Sequence, residues 1–287
     1  MKRTGFLWLA ILILGLSLVI AGCGQAEEKE TNSNDTNQEV EAQANNESKE
    51  KTTLEIIKER GYMVAGLDDT FAPMGFRDKE TNELIGFDID MGKEIAKRMG
   101  IEKIEWQPTA WEGVVQSLKN KNFDVIISGM TITPSRQEQI NFSVPYVNQS
   151  IVILVQAGNE DIASVEDLKG KVIGTQSGSS GYEAAKDIEG VKEIVQYPQF
   201  PQALMDLKIG RTAAVIIDIT TAKHFMSEQP DAYKIAGIVQ KELYGIGIRK
   251  EDTDLKAELD RILNEMKEDG TLKKISIKWF EQDVIPE

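Results

Sequence analysis

Residues 150–155 read SIVILV, and residues 244–248 read YGIGI. Both are short apolar stretches, and neither is followed at once by a segment with helical spacing. Between them, residues 156–243 carry a complete alternation of strand and helix patterns. Strand-like runs fall at 171–174, 193–196 and 212–217, and apolar residues recur at helical spacing over 180–186, 202–207 and 220–225. The same alternation precedes this block, with strands expected at 62–66, 103–106 and 123–127 and helices at 88–99 and 111–118. Two further helical stretches, 253–266 and 272–280, close the chain. Such alternation predicts an α/β fold with largely parallel sheets. The two extended stretches then mark where the chain leaves one α/β unit and where it returns. The expected architecture has two lobes, residues 53–150 with 245–287 and residues 151–244, joined by two hinge-crossing segments. Clefts between such lobes are favoured ligand sites.

Outward from this core, the first fifty or so residues have a different character. Met1, Lys2 and Arg3 give a positive start, and residues 6–20 (FLWLAILILGLSLVI) are apolar and free of charge. As a helix that run spans about 22 Å, short of the roughly 30 Å hydrocarbon core of a bilayer. A signal peptide over 1–22 fits it better than a permanent span. The run ends in Ile20-Ala21-Gly22-Cys23, and Cys23 is the only cysteine of the chain. This resembles the bacterial lipobox, whose cysteine becomes the acylated first residue of the mature protein. Several acyl chains together give stable anchoring that one chain does not. Residues 24–52 hold no aromatic residue and one large aliphatic, Val40. Such a segment buries too little apolar surface to offset the entropy of ordering, and residues 23–52 are read as a lipidated, solvated tether.

The chain has 287 residues and a net charge of −14; the signal contributes +2 and the tether −5, which leaves −11 on residues 53–287. An acidic surface argues against nucleic acid and against direct docking on anionic lipid. A single cysteine excludes an internal disulfide framework. One histidine and one cysteine leave few tools for covalent or metal-assisted catalysis.

Four motifs now carry a resemblance over nearly all of 53–287. They are GLDDTFAPM at 66–74, GFDID at 86–90, SGMTIT at 128–133 with Arg136, Phe142 and Ser143, and GTQSG at 174–178 with Ser179 and Ser180. Together they resemble the polar amino acid (family 3) type of extracellular solute-binding proteins, which feed ABC importers. The resemblance implies a periplasmic-binding-protein-like fold that closes about a hinge. It also implies a monomer with an amino acid ligand, an importer permease as partner, no nucleic acid, and neither cofactor nor metal. With the lipid on Cys23, the expected place is the extracytoplasmic face of the cell membrane.

A free amino acid presents a carboxylate and an ammonium, and burying either without a counter-group is costly. Arg136 offers a planar fork suited to a carboxylate; the resemblance puts it on the α-carboxylate. Ser179 and Ser180 match positions that donate to the same carboxylate, and Asp218 matches one that takes the α-ammonium. Capping of the following helices is the competing role for these three. Gly129 and Thr131 are expected to add a backbone carbonyl and a hydroxyl. Phe71 and Trp111 match positions that sandwich the ligand side chain, with core packing as the alternative. Asp68 matches an acceptor for the ligand's distal donors, and Gln176 stands where some glutamine-binding relatives carry lysine. An anionic Asp68, a neutral Gln176 and the acidic domain lean toward a basic amino acid such as arginine, with glutamine and other neutral polar amino acids as the alternative. From another class, a few relatives of this fold are dehydratases of the cyclohexadienyl type. Glu183 or Glu112 is the imaginable general acid for that chemistry, but a binding protein rather than an enzyme is the expectation. His224 is read as a helix-surface residue.

Overall fold

The structure, a computed structural model, describes residues 50–287. The signal peptide expected over 1–22, the lipid on Cys23 and the tether as far as 49 lie outside the described residues. The last tether residues are already structural. Thr52 caps a helix over Thr53–Arg60: its hydroxyl accepts from Glu55 N at 3.3 Å and the Glu55 carboxylate accepts from Thr52 N at 2.8 Å. This reciprocal pair satisfies two of the free donors at a helix start. Gly61, in the left-handed region at φ 80°, ends the helix.

Two five-stranded sheets follow. The first has the order Lys103–Pro108, Tyr62–Leu67, Val125–Ile126, Gly247–Ile248 and Asn141–Phe142. Its first three strands are parallel and its last two pairings antiparallel. The second has the order Glu193–Tyr197, Val172–Gln176, Ala214–Asp218, Val147–Gln156 and Tyr233–Tyr244. Here too the first three strands run parallel, and Val147–Gln156 is antiparallel to both its neighbours. Both sheets are therefore mixed, where the sequence pattern predicted largely parallel ones. Parallel neighbours need a crossover helix between them, and the antiparallel strands are the ones on either side of the two crossings, where no helix intervenes. A third sheet, small and antiparallel, joins Thr70–Phe71, Gly75–Arg77 and Leu84–Ile85.

Helices cover the sheets with their apolar faces. Phe87–Met99 buries Phe87, Met91, Ile95 and Met99, and Thr253–Glu268 buries Leu255, Leu259, Ile262, Leu263 and Met266, spacings that place each set on one face. Arg249 is buried as well. It donates to the carbonyls of Leu118 and Phe123 at 3.2 and 2.7 Å and pairs with Asp252 at 2.7 Å. Asp252 in turn accepts from Thr53 Oγ1 at 2.6 Å, which fastens the first helix to the body. Gly66 is required by close approach: a Cβ there would stand 2.5 Å from the Phe123 ring.

The chain crosses between the sheets twice. It leaves through 143–146 into Val147–Gln156 and returns from Tyr233–Tyr244 into Gly247–Ile248. The two crossings are bonded to one another: Tyr146 N donates to Tyr244 O, Ser143 N to Ile246 O, and Ile246 N to Ser143 Oγ. The long strand Tyr233–Tyr244 has no counterpart in the sequence reading, which placed its strand at 244–248.

Candidate functional site

Parallel strands of both sheets end at one cleft. Tyr62–Leu67 leads to Asp68, Val125–Ile126 to Gly129 and Thr131, Val172–Gln176 ends on Gln176, and Ala214–Asp218 ends on Asp218. This is the carboxyl edge where open α/β sheets hold their ligands. All ten ligand-site positions expected from the sequence line one cavity: Asp68, Phe71, Trp111, Gly129, Thr131, Arg136, Gln176, Ser179, Ser180 and Asp218. Phe200 is the eleventh lining residue.

Arg136 enters from the short helix Pro134–Gln139, whose first turn Thr133 caps by accepting from Arg136 N at 3.2 Å. Its Nη1 donates to Thr131 O at 3.0 Å and its Nη2 to Gly178 O at 3.1 Å, so it touches residues of both sheets' loops. The guanidinium lies 5.5 Å from the Trp111 ring centre, a cation–π contact. Burial lowers its pKa from the ordinary value, while the charges of Glu242 and Asp218 work in the opposite sense.

Asp218 occupies the N-cap position of the helix Ile219–Glu228, yet its side chain makes no capping bond. The carboxylate instead accepts from Tyr244 Oη at 2.5 Å. Burial, then the nearby Glu242 charge, pushes its pKa up to about 7. The Tyr244 hydroxyl is itself held by Gln149 Nε2 at 2.7 Å. Ser179 behaves differently: its hydroxyl caps the helix Ser180–Lys186 by accepting from Tyr182 N at 3.0 Å. Ser180 Oγ lies free of that duty, 3.0 Å from Thr131 Oγ1 across the cleft.

Gly129 has φ 52°, and a Cβ on it would stand 2.6 Å from Phe71 Cε1; both its conformation and the space require glycine. Its N–H points away from the cavity, to Asp88 Oδ2 at 2.8 Å. Asp68 accepts from Thr70 N and Oγ1 at 2.9 and 2.7 Å with one oxygen and from Gln176 Nε2 at 2.6 Å with the other. The aromatic walls pair in an unforeseen way. Phe71 stacks on Phe200, ring centres 6.0 Å apart, and Trp111 faces Arg136.

Sequence reasoning missed Phe200, Gln149, Glu242 and Tyr244. Pro201 carried a signal for the first, because proline favours the first turn of a helix and so places Phe200 at the helix mouth. Glu183, weighed as a general acid, pairs with Lys186 at 2.6 Å on the surface, and neither it nor Glu112 lines the cavity. His224 is half-buried rather than free on its helix, 5.3 Å from the Phe76 ring centre. Among the described residues, no group of three or more histidine, cysteine, aspartate or glutamate side chains is placed to hold a metal.

Comparison with known proteins places the chain in a family. Residues 63–282 match the model of the bacterial extracellular solute-binding proteins, family 3. The L-cystine-binding protein TcyJ of Escherichia coli is 34% identical over 234 residues, covering 80% of this chain and 87% of that protein. The ABC transporter arginine-binding protein 1 of Escherichia coli is 34% identical over 206 residues, covering 70% and 84%. Among solved structures, an ancestral arginine-binding protein bound to arginine superposes with a TM-score of 0.73 at 41% identity, covering 77% of this chain and 99% of that one. The chain belongs to the bacterial extracellular solute-binding proteins of family 3.

Proposed function

We propose that this protein captures a polar amino acid in its cleft and presents it to an ABC importer. The observation that carries the reading is the pair of opposite charges in one cavity. Arg136 stands beside the first sheet and Asp218 ends a strand of the second. A zwitterion presents a carboxylate and an ammonium, each of which needs a fixed counter-group once buried, and these two residues offer one for each. On this reading Gly129, Thr131 and Arg136 hold the ligand from residues 53–150 with 245–287. Ser179, Ser180 and Asp218 close on it from residues 151–244. The extra contacts made on closure are what stabilise the closed form.

A basic amino acid, arginine above all, fits the remainder best. Asp68 offers an acceptor at the far end, and Phe71, Trp111 and Phe200 give flat walls for an aliphatic stem and a guanidinium. The arginine-binding relatives support this. L-cystine is the second reading, supported by the identity to a cystine-binding relative. A thermal-shift screen of the purified domain against the common amino acids, ornithine, citrulline and cystine tests both. Stabilisation grows with ligand concentration over Kd, so arginine is expected to raise the melting temperature most. A larger shift with cystine selects the second reading, and no shift with any of them removes the amino acid assignment.

The same proposal includes acylation at Cys23 and a tether that keeps the loaded domain near its permease. Cys23→Ala is expected to move the protein from the membrane fraction to the soluble one; retention in membranes refutes the anchor.

A further inference from the structure

Glu242 lies near the end of the strand Tyr233–Tyr244, just before the chain returns to the first sheet. Its Oε2 accepts from Thr131 Oγ1 at 2.8 Å and from Ser180 Oγ at 2.9 Å. Those two hydroxyls are themselves 3.0 Å apart, so three oxygens sit in mutual contact. Each hydroxyl carries one proton, which leaves two protons for three contacts. The other carboxylate oxygen accepts from Gln240 Nε2 at 2.7 Å. Glu242 is also the foremost charge acting on buried Arg136.

We propose that Glu242 is an internal competitor for the carboxylate of the ligand. The inference rests on the amino acid reading above. Thr131, Ser180 and Arg136 are the groups a ligand carboxylate would use; Glu242 already holds the two hydroxyls and acts on the guanidinium through its charge. A ligand that takes either hydroxyl proton deprives Glu242 of a charge-assisted hydrogen bond, among the stronger kinds. It also brings a second negative charge beside the first, and like charges in a shared site disfavour one another. The site therefore holds its ligand less tightly than its donors allow. On release the hydroxyls return to Glu242 instead of standing unpaired, so opening leaves no orphaned polar group behind.

The test compares L-arginine with agmatine, which has the same guanidinium and stem but no carboxylate. Titration calorimetry on wild type and Glu242→Gln is expected to show L-arginine binding tightened about tenfold, the worth of one charge-assisted hydrogen bond. Agmatine gains nothing. Glu242→Asp, which withdraws the carboxylate by one carbon, also gains affinity for L-arginine and guards against a poorly folded first variant. Unchanged or weakened L-arginine binding in both variants overturns the proposal, as does an equal gain for agmatine. If wild type ignores L-arginine, the arginine assignment is what fails, and a bare carboxylate decides the role of Glu242. Sodium acetate, matched against sodium chloride, should then raise the melting temperature of Glu242→Gln more than that of wild type. Equal shifts overturn the competitor role.

Discussion

Each sheet has one aspartate buried against one tyrosine. Beside the first, Asp88 accepts from Tyr146 Oη at 3.0 Å and from Gly129 N at 2.8 Å. At the end of the second, Asp218 accepts from Tyr244 Oη at 2.5 Å. Burial raises both carboxyls to about 7 and both phenols well above their ordinary value. The two tyrosine rings lie 6.5 Å apart. By residue type, burial and titration the pairs look alike. The difference lies in their place. Asp88 has a partner for each oxygen and is held behind Gly129, away from the cavity lining, whereas Asp218 is among the residues that line the cavity. A perturbed carboxyl alone does not make a candidate binding residue; one that also lines a cleft does.

The comparison can be broken by substitution. The largest effect is expected from Asp218→Ala, which leaves a bound ammonium without its counter-charge and should cost about 3–5 kcal/mol of affinity. Calorimetry measures it, and urea unfolding should show only the smaller loss from the orphaned Tyr244 hydroxyl. Next, Asp88→Ala orphans the Tyr146 hydroxyl and the Gly129 N–H, at about 1–3 kcal/mol for each buried group left unpaired. Here the loss should fall on stability, with affinity following only through Gly129. Unchanged affinity in Asp218→Ala, or unchanged stability in Asp88→Ala, ends the distinction drawn between them.

Titration sharpens it further. Both folded-state pKa values lie above the ordinary aspartate value of 3.8, at about 7. Between these limits the folded protein binds more protons than the unfolded chain, so stability should fall as pH rises through the window and level off above about 7. Asp88→Asn and Asp218→Asn should each flatten part of that slope in urea melts. Binding separates them: an ammonium favours ionised Asp218, so ligand uptake near neutral pH should release protons. Calorimetry in buffers of different ionisation enthalpy should detect the release in Asp88→Asn and lose it in Asp218→Asn. The smallest effect is expected for Tyr146→Phe, about 1–2 kcal/mol of stability, since Asp88 keeps its bond from Gly129. Tyr244→Phe should weaken ligand binding as well, because Asp218 then loses its shortest orienting hydrogen bond.

How much of this could be read in the sequence follows from the same contrast. Asp218 ends an apolar run whose strand is plain, so its place at a sheet's edge was legible. Asp88 reads as an acidic residue in a helix's first turn, a common and dispensable arrangement, and nothing local says that its carboxyl turns inward to Gly129. The strand Tyr233–Tyr244 was illegible for another reason. Register shifts at Ile235/Gly237 and Ile238/Gln240 break its alternation, and strand periodicity is the signal on which such a reading depends. Phe200 lies outside the helical stretch read over 202–207, and only the meeting of two lobes brings it against Phe71. Glu242 was hidden because its two partners, Thr131 and Ser180, are far from it in the chain. Long-range pairings of this sort leave no trace in local pattern, while strand ends, caps and turn glycines do.

The bonded crossings set the mechanics of the molecule. Two independent straps would let the halves twist, slide and bend separately. Here Phe142 pairs with Gly247, Ser143 with Ile246, Tyr146 with Tyr244 and Val147 again with Tyr244, so the straps form one ribbon. A two-stranded ribbon flexes readily out of its plane and resists stretching along its hydrogen bonds. The proposed closure would then run along a single arc, with Tyr244, whose hydroxyl holds Asp218, at its pivot.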